Sequence, residues 1–153
     1  MRGEEEKGEV ELSIFRQFAR KASLATESEP EKQNPNERKP DILCVLKEGP
    51  VYFELTEACA PEFAAVITKG IKQKKAIYAR GNDVSKDTVA KKLLKNYEVE
   101  EPIELIVYTA GRTVLPDEVI VQRVGDVLSK GCGPFRRIWF FGEEVELLAS
   151  NVS

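Results

Sequence analysis

The 153-residue chain contains no histidine. That absence excludes Ser-His-Asp and Cys-His catalysis and every histidine metal ligand. Any metal would have to be bound by oxygen, which favours magnesium, manganese or calcium. Cysteine is scarce too: Cys44, Cys59 and Cys132 form no CxxC pair, so they suggest neither a disulfide framework nor a zinc pattern. They read as buried free thiols in a reducing cytoplasm. No apolar run approaches membrane-spanning length, and no membrane association is expected. The acidic start, MRGEEEKGEVE, lacks the apolar stretch of a signal peptide. A Gly-rich phosphate loop is also missing. GCGPF at 131–135 follows a predicted helix instead of opening one, and so reads as a helix stop.

What remains has the composition of a soluble globular protein, 42% hydrophobic and 32% charged, and a length that suits one domain over 1–153. The net charge of −3 is unevenly spread. Between Lys69 and Lys95 nine basic residues face only Asp83 and Asp87, so this segment carries +7 and the remainder −10. The asymmetry fits a local basic surface, and it fits a pair of solvated helix faces equally well.

Apolar spacing predicts a first helix over 9–22 with Ile14, Phe15, Phe18 and Ala22 as its buried stripe. Residues 23–40 hold three prolines and little that could enter a core, and are expected to be a long, mobile loop. A hairpin over 41–57 follows, then a helix over 61–78 with Pro61 in its first turn. A third helix is capped by Ser85 and buries Val89, Leu93 and Tyr97. IELIVYTA at 103–110 reads as a fully buried strand. A helix from 116 to 130 comes next, and FRRIWFFGEEVELLA gives a strand, a turn at Gly142 and an edge strand. This order implies a three-layer α/β domain with a mixed central β-sheet flanked by helices.

The hairpin holds the candidate chemistry. With Glu48-Gly49 as its two-residue turn, Asp41 opposes Thr56. One face then carries Ile42, Cys44, Leu46, Val51, Phe53 and Leu55, all apolar. The other carries Leu43, Val45 and Tyr52, with Asp41, Glu54 and Thr56 at its end. Asp41 and Glu54 become diagonal neighbours about 7–8 Å apart, a gap that one hard cation can bridge.

A Pro-Asp at the start of one strand, followed after a short hairpin by Glu-x-Lys, is the signature of the PD-(D/E)XK nuclease superfamily. Pro40-Asp41 and Glu54-Leu55-Thr56 resemble it, with threonine in place of the lysine. The element order over 9–110 is similar to that family's core, so a restriction-endonuclease-like fold is expected. The resemblance implies that Asp41 and Glu54 hold Mg2+ or Mn2+ and that a lysine orients or activates the attacking water. Thr56 cannot replace that lysine. In some relatives it moves to the following helix, where Lys74 falls within the apolar stripe, one turn before Tyr78, and Lys69 is the fallback. Asp41, Glu54 and Lys74 are therefore the expected catalytic residues. Glu11 is a candidate third carboxylate, and Glu57, on the opposite face, is a candidate partner for a lysine.

The activity so implied is metal-dependent phosphodiester cleavage of DNA or RNA by a cytoplasmic protein, with Lys69, Lys72, Lys91, Lys92 and Lys95 contacting nucleic-acid phosphates. The alternative is a catalytically inactive nuclease-fold binding module, or an inhibitor of a nucleic-acid enzyme. A homodimer or a protein partner is left open.

Overall fold

The computed structural model describes residues 2–58, 89–109, 117–129 and 131–151. Helix α1 spans Arg2–Lys21. Six strands follow in chain order: β1 (Glu31–Lys32), β2 (Ile42–Leu46), β3 (Gly49–Glu57), β4 (Ile103–Tyr108), β5 (Arg137–Phe141) and β6 (Val145–Ser150). Helix α2, Asp117–Leu128, lies between β4 and β5, and a short helical stretch covers 89–93. The sheet order is β1-β2-β3-β4-β5-β6. β3 pairs parallel with β4, and β4 with β5, while the outer pairings are antiparallel. Parallel neighbours require crossovers, and α2 supplies the one from β4 to β5.

Alternation along the strands sorts the core into two clusters on opposite faces of the sheet. On one face Phe15 and Phe18 of α1 pack on Ile42, Cys44, Val51, Phe53, Leu55 and Ile106. On the other, Ile120 and Val124 of α2 and Val89 pack on Leu105, Val107, Ile138 and Phe140. The result is a helix–sheet–helix sandwich around a mixed sheet, as the element order implies. Among the described residues no helix is long and apolar enough to cross a membrane.

Three local expectations shift. The segment 23–40 supplies the edge strand β1, a 3-10 turn at Pro35–Glu37 and a bridge from Thr26 to Leu46. The hairpin turn is Lys47-Glu48, because Leu46 pairs with Gly49. Gly49 opens β3 at φ 126°, a backbone angle side-chain-bearing residues rarely adopt, so its flexibility is used beside the turn and not in it. The slip is by two residues, so the faces are unchanged and Asp41 comes directly across from Glu54. Finally, the helical stretch stops at 93, so Tyr97 lies beyond it. The predicted helix over 61–78, with Lys69, Lys72 and Lys74, lies outside the described residues.

A contact far from the hairpin seats the helical stretch. Gly133, at φ 57°, lies so close to it that a Cβ there would stand 2.6 Å from the Leu93 carbonyl oxygen.

Candidate functional site

The register of the hairpin brings the two acids together. Asp41, just before β2, is locked to β3 by two reciprocal bonds. Its backbone N–H donates to Glu54 Oε1 at 3.1 Å, and its own Oδ2 accepts from the Leu55 N–H at 2.9 Å. Glu54 is only 1% exposed, so its charge must be met locally. The segment after 89 meets it. Lys92 Nζ donates to Glu54 Oε2 at 3.1 Å, Lys95 Nζ at 3.2 Å, and the Tyr97 hydroxyl donates to the same oxygen. Lys95 also stands 5.2 Å from the centre of the Tyr97 ring, within cation–π range.

A second lysine system reaches Asp41 from the opposite side. Lys32 of β1 donates to Asp41 Oδ1 at 3.4 Å and lies 3.0 Å from Glu11 Oε1 of α1. That second approach pairs charges without hydrogen-bond alignment, and Glu11 Oε1 stays buried without a hydrogen bond.

The electrostatics follow from this crowding. Burial first, and then the charge and hydrogen bond of Glu54, push the Asp41 carboxyl up to about 7. Burial works in the same direction on Glu54, but its hydrogen bond with Asp41, the charge of Lys92, the Tyr97 hydroxyl and the charge of Lys95 outweigh it. Glu54 is drawn well below the usual carboxylate range. The two carboxyls are therefore driven apart, Asp41 becoming the weaker acid and Glu54 the stronger. Burial and the neighbouring Glu54 carboxylate raise the Tyr97 phenol far above its ordinary value, so it remains a donor. Burial tends to lower Lys32, yet Asp41 and Glu11 prevail and raise it.

Of the residues expected at the site, Asp41 and Glu54 are brought together, and Glu11 joins through Lys32. Lys74 and its fallback Lys69 lie outside the described residues. Lys92 and Lys95, expected only as phosphate contacts, reach the acidic pair itself, while Lys91 is exposed. Their spacing of three residues, with Tyr97 two further on, was the available signal: on the helix expected after Ser85 it puts both ammonium groups on one side, and they meet at Glu54 although Lys95 lies beyond the helical stretch. Thr56 is buried on the Glu54 face and carries no charge.

Among the described residues, no group of three or more acidic or cysteine side chains is placed to hold a metal ion. The donors present nevertheless suit a hard cation held by two carboxylates and water, the arrangement magnesium favours. A cation there would have to displace donors already in place: Lys32 and the Leu55 N–H on Asp41, and the Asp41 N–H, Lys92, Lys95 and Tyr97 on Glu54.

Another buried carboxylate was passed over in the apolar run of β4. Glu104, 1% exposed, accepts from Arg136 Nε at 2.7 Å, Arg137 Nη1 at 3.0 Å and Trp139 Nε1 at 2.7 Å. Arg136 also binds Glu48 Oε1 in the hairpin turn at 2.7 Å. Both arginines and the tryptophan come from FRRIW, which a charge inside a buried strand should have singled out as its partner.

Comparison of the chain with protein-family models, with curated proteins and with solved structures returns no match.

Proposed function

We propose that this chain is a metal-dependent phosphodiesterase acting on nucleic acid, a PD-(D/E)XK-like protein with a restriction-endonuclease-like fold. The observation that carries the reading is the meeting of Asp41, Glu54, Lys92 and Lys95 at the end of one hairpin. Two carboxylates and two ammonium groups converge there although Thr56 replaces the motif lysine, because the lysines arrive from the segment after 89 and not from β3.

Asp41 and Glu54 are the residues that would hold Mg2+ or Mn2+. When bound, such an ion supplies water activation and neutralises charge gathering on the phosphate. Tyr97 fixes the orientation of Glu54 through its hydroxyl. Lys95, with about half its side chain exposed, stands at the mouth of the site, where a phosphate oxygen can exchange for its contact with Glu54. Lys91 extends this positive rim toward solvent, which suits a DNA or RNA backbone.

A second reading is a binding module that keeps the fold without the cleavage. It is favoured by the three donors already on Glu54 Oε2. One experiment separates the two. The full chain is incubated with plasmid DNA and with single-stranded RNA, in manganese, magnesium or chelator, alongside Glu54→Gln and Lys95→Gln. Metal-dependent cleavage that disappears in Glu54→Gln and falls at least about a hundredfold in Lys95→Gln supports the proposal. Salt-sensitive binding without cleavage assigns the module. Absence of both cleavage and manganese binding in the wild type overturns the proposal.

A further inference from the structure

Lys32 is the one cation that contacts Asp41 among the described residues, and its placement is built in. The two-residue strand β1 pairs with β2 so that Lys32 sits beside Ile42, one residue from Asp41. The Gln33 N–H donates to the Asp41 carbonyl at 2.8 Å and fixes the strand end. Helix α1 approaches the lysine stem at Gly8, where a Cβ would lie 3.5 Å from Lys32 Cγ and Cε. The stem is thus held between helix and sheet edge, and the ammonium is delivered between Glu11 Oε1 at 3.0 Å and Asp41 Oδ1 at 3.4 Å. Its side chain keeps 28% exposure, so the head group has a path to water.

The Lys32 ammonium holds Asp41 Oδ1, one of the oxygens that a divalent ion on Asp41 and Glu54 would draw on. It carries half the charge, is strongly hydrated and sits on a flexible stem, so it can be displaced. We infer that Lys32 is a built-in counter-ion that competes with a divalent cation for Asp41 and thereby sets the metal affinity of the site. The inference rests on the proposed reading that Asp41 and Glu54 hold such a cation. In the metal-free protein Lys32 offsets the negative charge that Glu11 places beside Asp41. In the loaded protein its ammonium turns to Glu11 and solvent.

Calorimetric titration with manganese tests this on the full chain and on Lys32→Met and Lys32→Arg, with melting curves recorded with and without manganese. Lys32→Met should bind manganese about tenfold more tightly, because one positive charge is removed from beside the ligands in a partly desolvated place. Its metal-free melting temperature should fall and its rise on adding manganese should exceed that of the wild type. Lys32→Arg, which keeps the charge and offers a carboxylate-matching fork, should bind several-fold more weakly and settles the matter if the methionine variant does not fold. A lysine of purely structural importance predicts unchanged or weaker binding in Lys32→Met, and that result with a metal-binding wild type overturns the inference alone. No binding by the wild type or either variant removes the parent reading and the inference together.

Discussion

Glu54 and Glu104 stand on neighbouring strands, one residue out of level, point to opposite faces of the sheet and are equally buried. Their surroundings differ in kind. Glu104 is enclosed by two guanidinium groups and an indole N–H, donors of fixed geometry that fill both carboxylate oxygens. Glu54 is met by two ammonium groups on long stems and a phenol, and has a second carboxyl pressed against it. Arginine forks close a site, whereas lysines beside a pair of acids leave one adjustable. The first arrangement ties β4 to β5 and the hairpin turn. The second is held by ammonium groups on long stems, with which an incoming ion or phosphate can compete.

The sharpest test of the contrast is to remove the closed partner. Glu104→Gln leaves Arg136 and Arg137 without their buried counter-ion and should cost about 3 kcal/mol of folding stability in a urea titration. Manganese affinity should be unaffected, since nothing in the Glu104 network touches Asp41 or Glu54. An equal loss of metal binding would show that the two acids are not independent.

The next effect concerns pH. Asp41 holds its proton more tightly folded than unfolded, so its contribution to stability is full below its ordinary value of 3.8 and is lost as pH climbs to about 7. Glu54 behaves oppositely, and its contribution is present above 4.5 and is lost as pH falls from there. Metal-free wild type should therefore pass through a stability maximum near pH 4 and lose on the order of 2 kcal/mol by pH 7. Asp41→Asn, which resembles the protonated form, should be flat over that upper window. Chemical denaturation from pH 3.5 to 7.5 compares the two, and a parallel decline in both would trace it to a group other than Asp41. The smallest effect belongs to Tyr97→Phe, which deletes one donor to Glu54 and should lower stability by about 1 kcal/mol. The lysines retain the carboxylate in that variant, so any larger loss by thermal melting would make the phenol the principal anchor.

Much of this was legible in the chain, and the failures have physical causes. Alternation from Ile42 to Leu55 assigned both hairpin faces correctly, because a side-chain period of two survives any even slip. It could not place the turn, since Gly49 uses its special backbone angle one position beyond where the favoured turn would put it. Asp41 and Glu54 could be paired from the hairpin alone, being local in sequence. Lys92 and Lys95 lie roughly forty residues from their partner, and composition marked them only as part of a basic stretch. Glu104 was hidden by the apolar residues around it, whose continuity spoke for burial and masked the charge.

The close approach of Gly133 to the Leu93 carbonyl gives the lysine pair a dependence on a remote loop. Leu93 stands directly after Lys92, so the height of that helical stretch above the sheet is gauged by the thickness of a bare backbone at 133. A methyl group there would act as a shim, lifting the stretch and both ammonium groups away from Glu54 while leaving every residue of the acidic pair in place. The loop that closes α2 is thus a calibrating surface for a site to which it contributes no side chain.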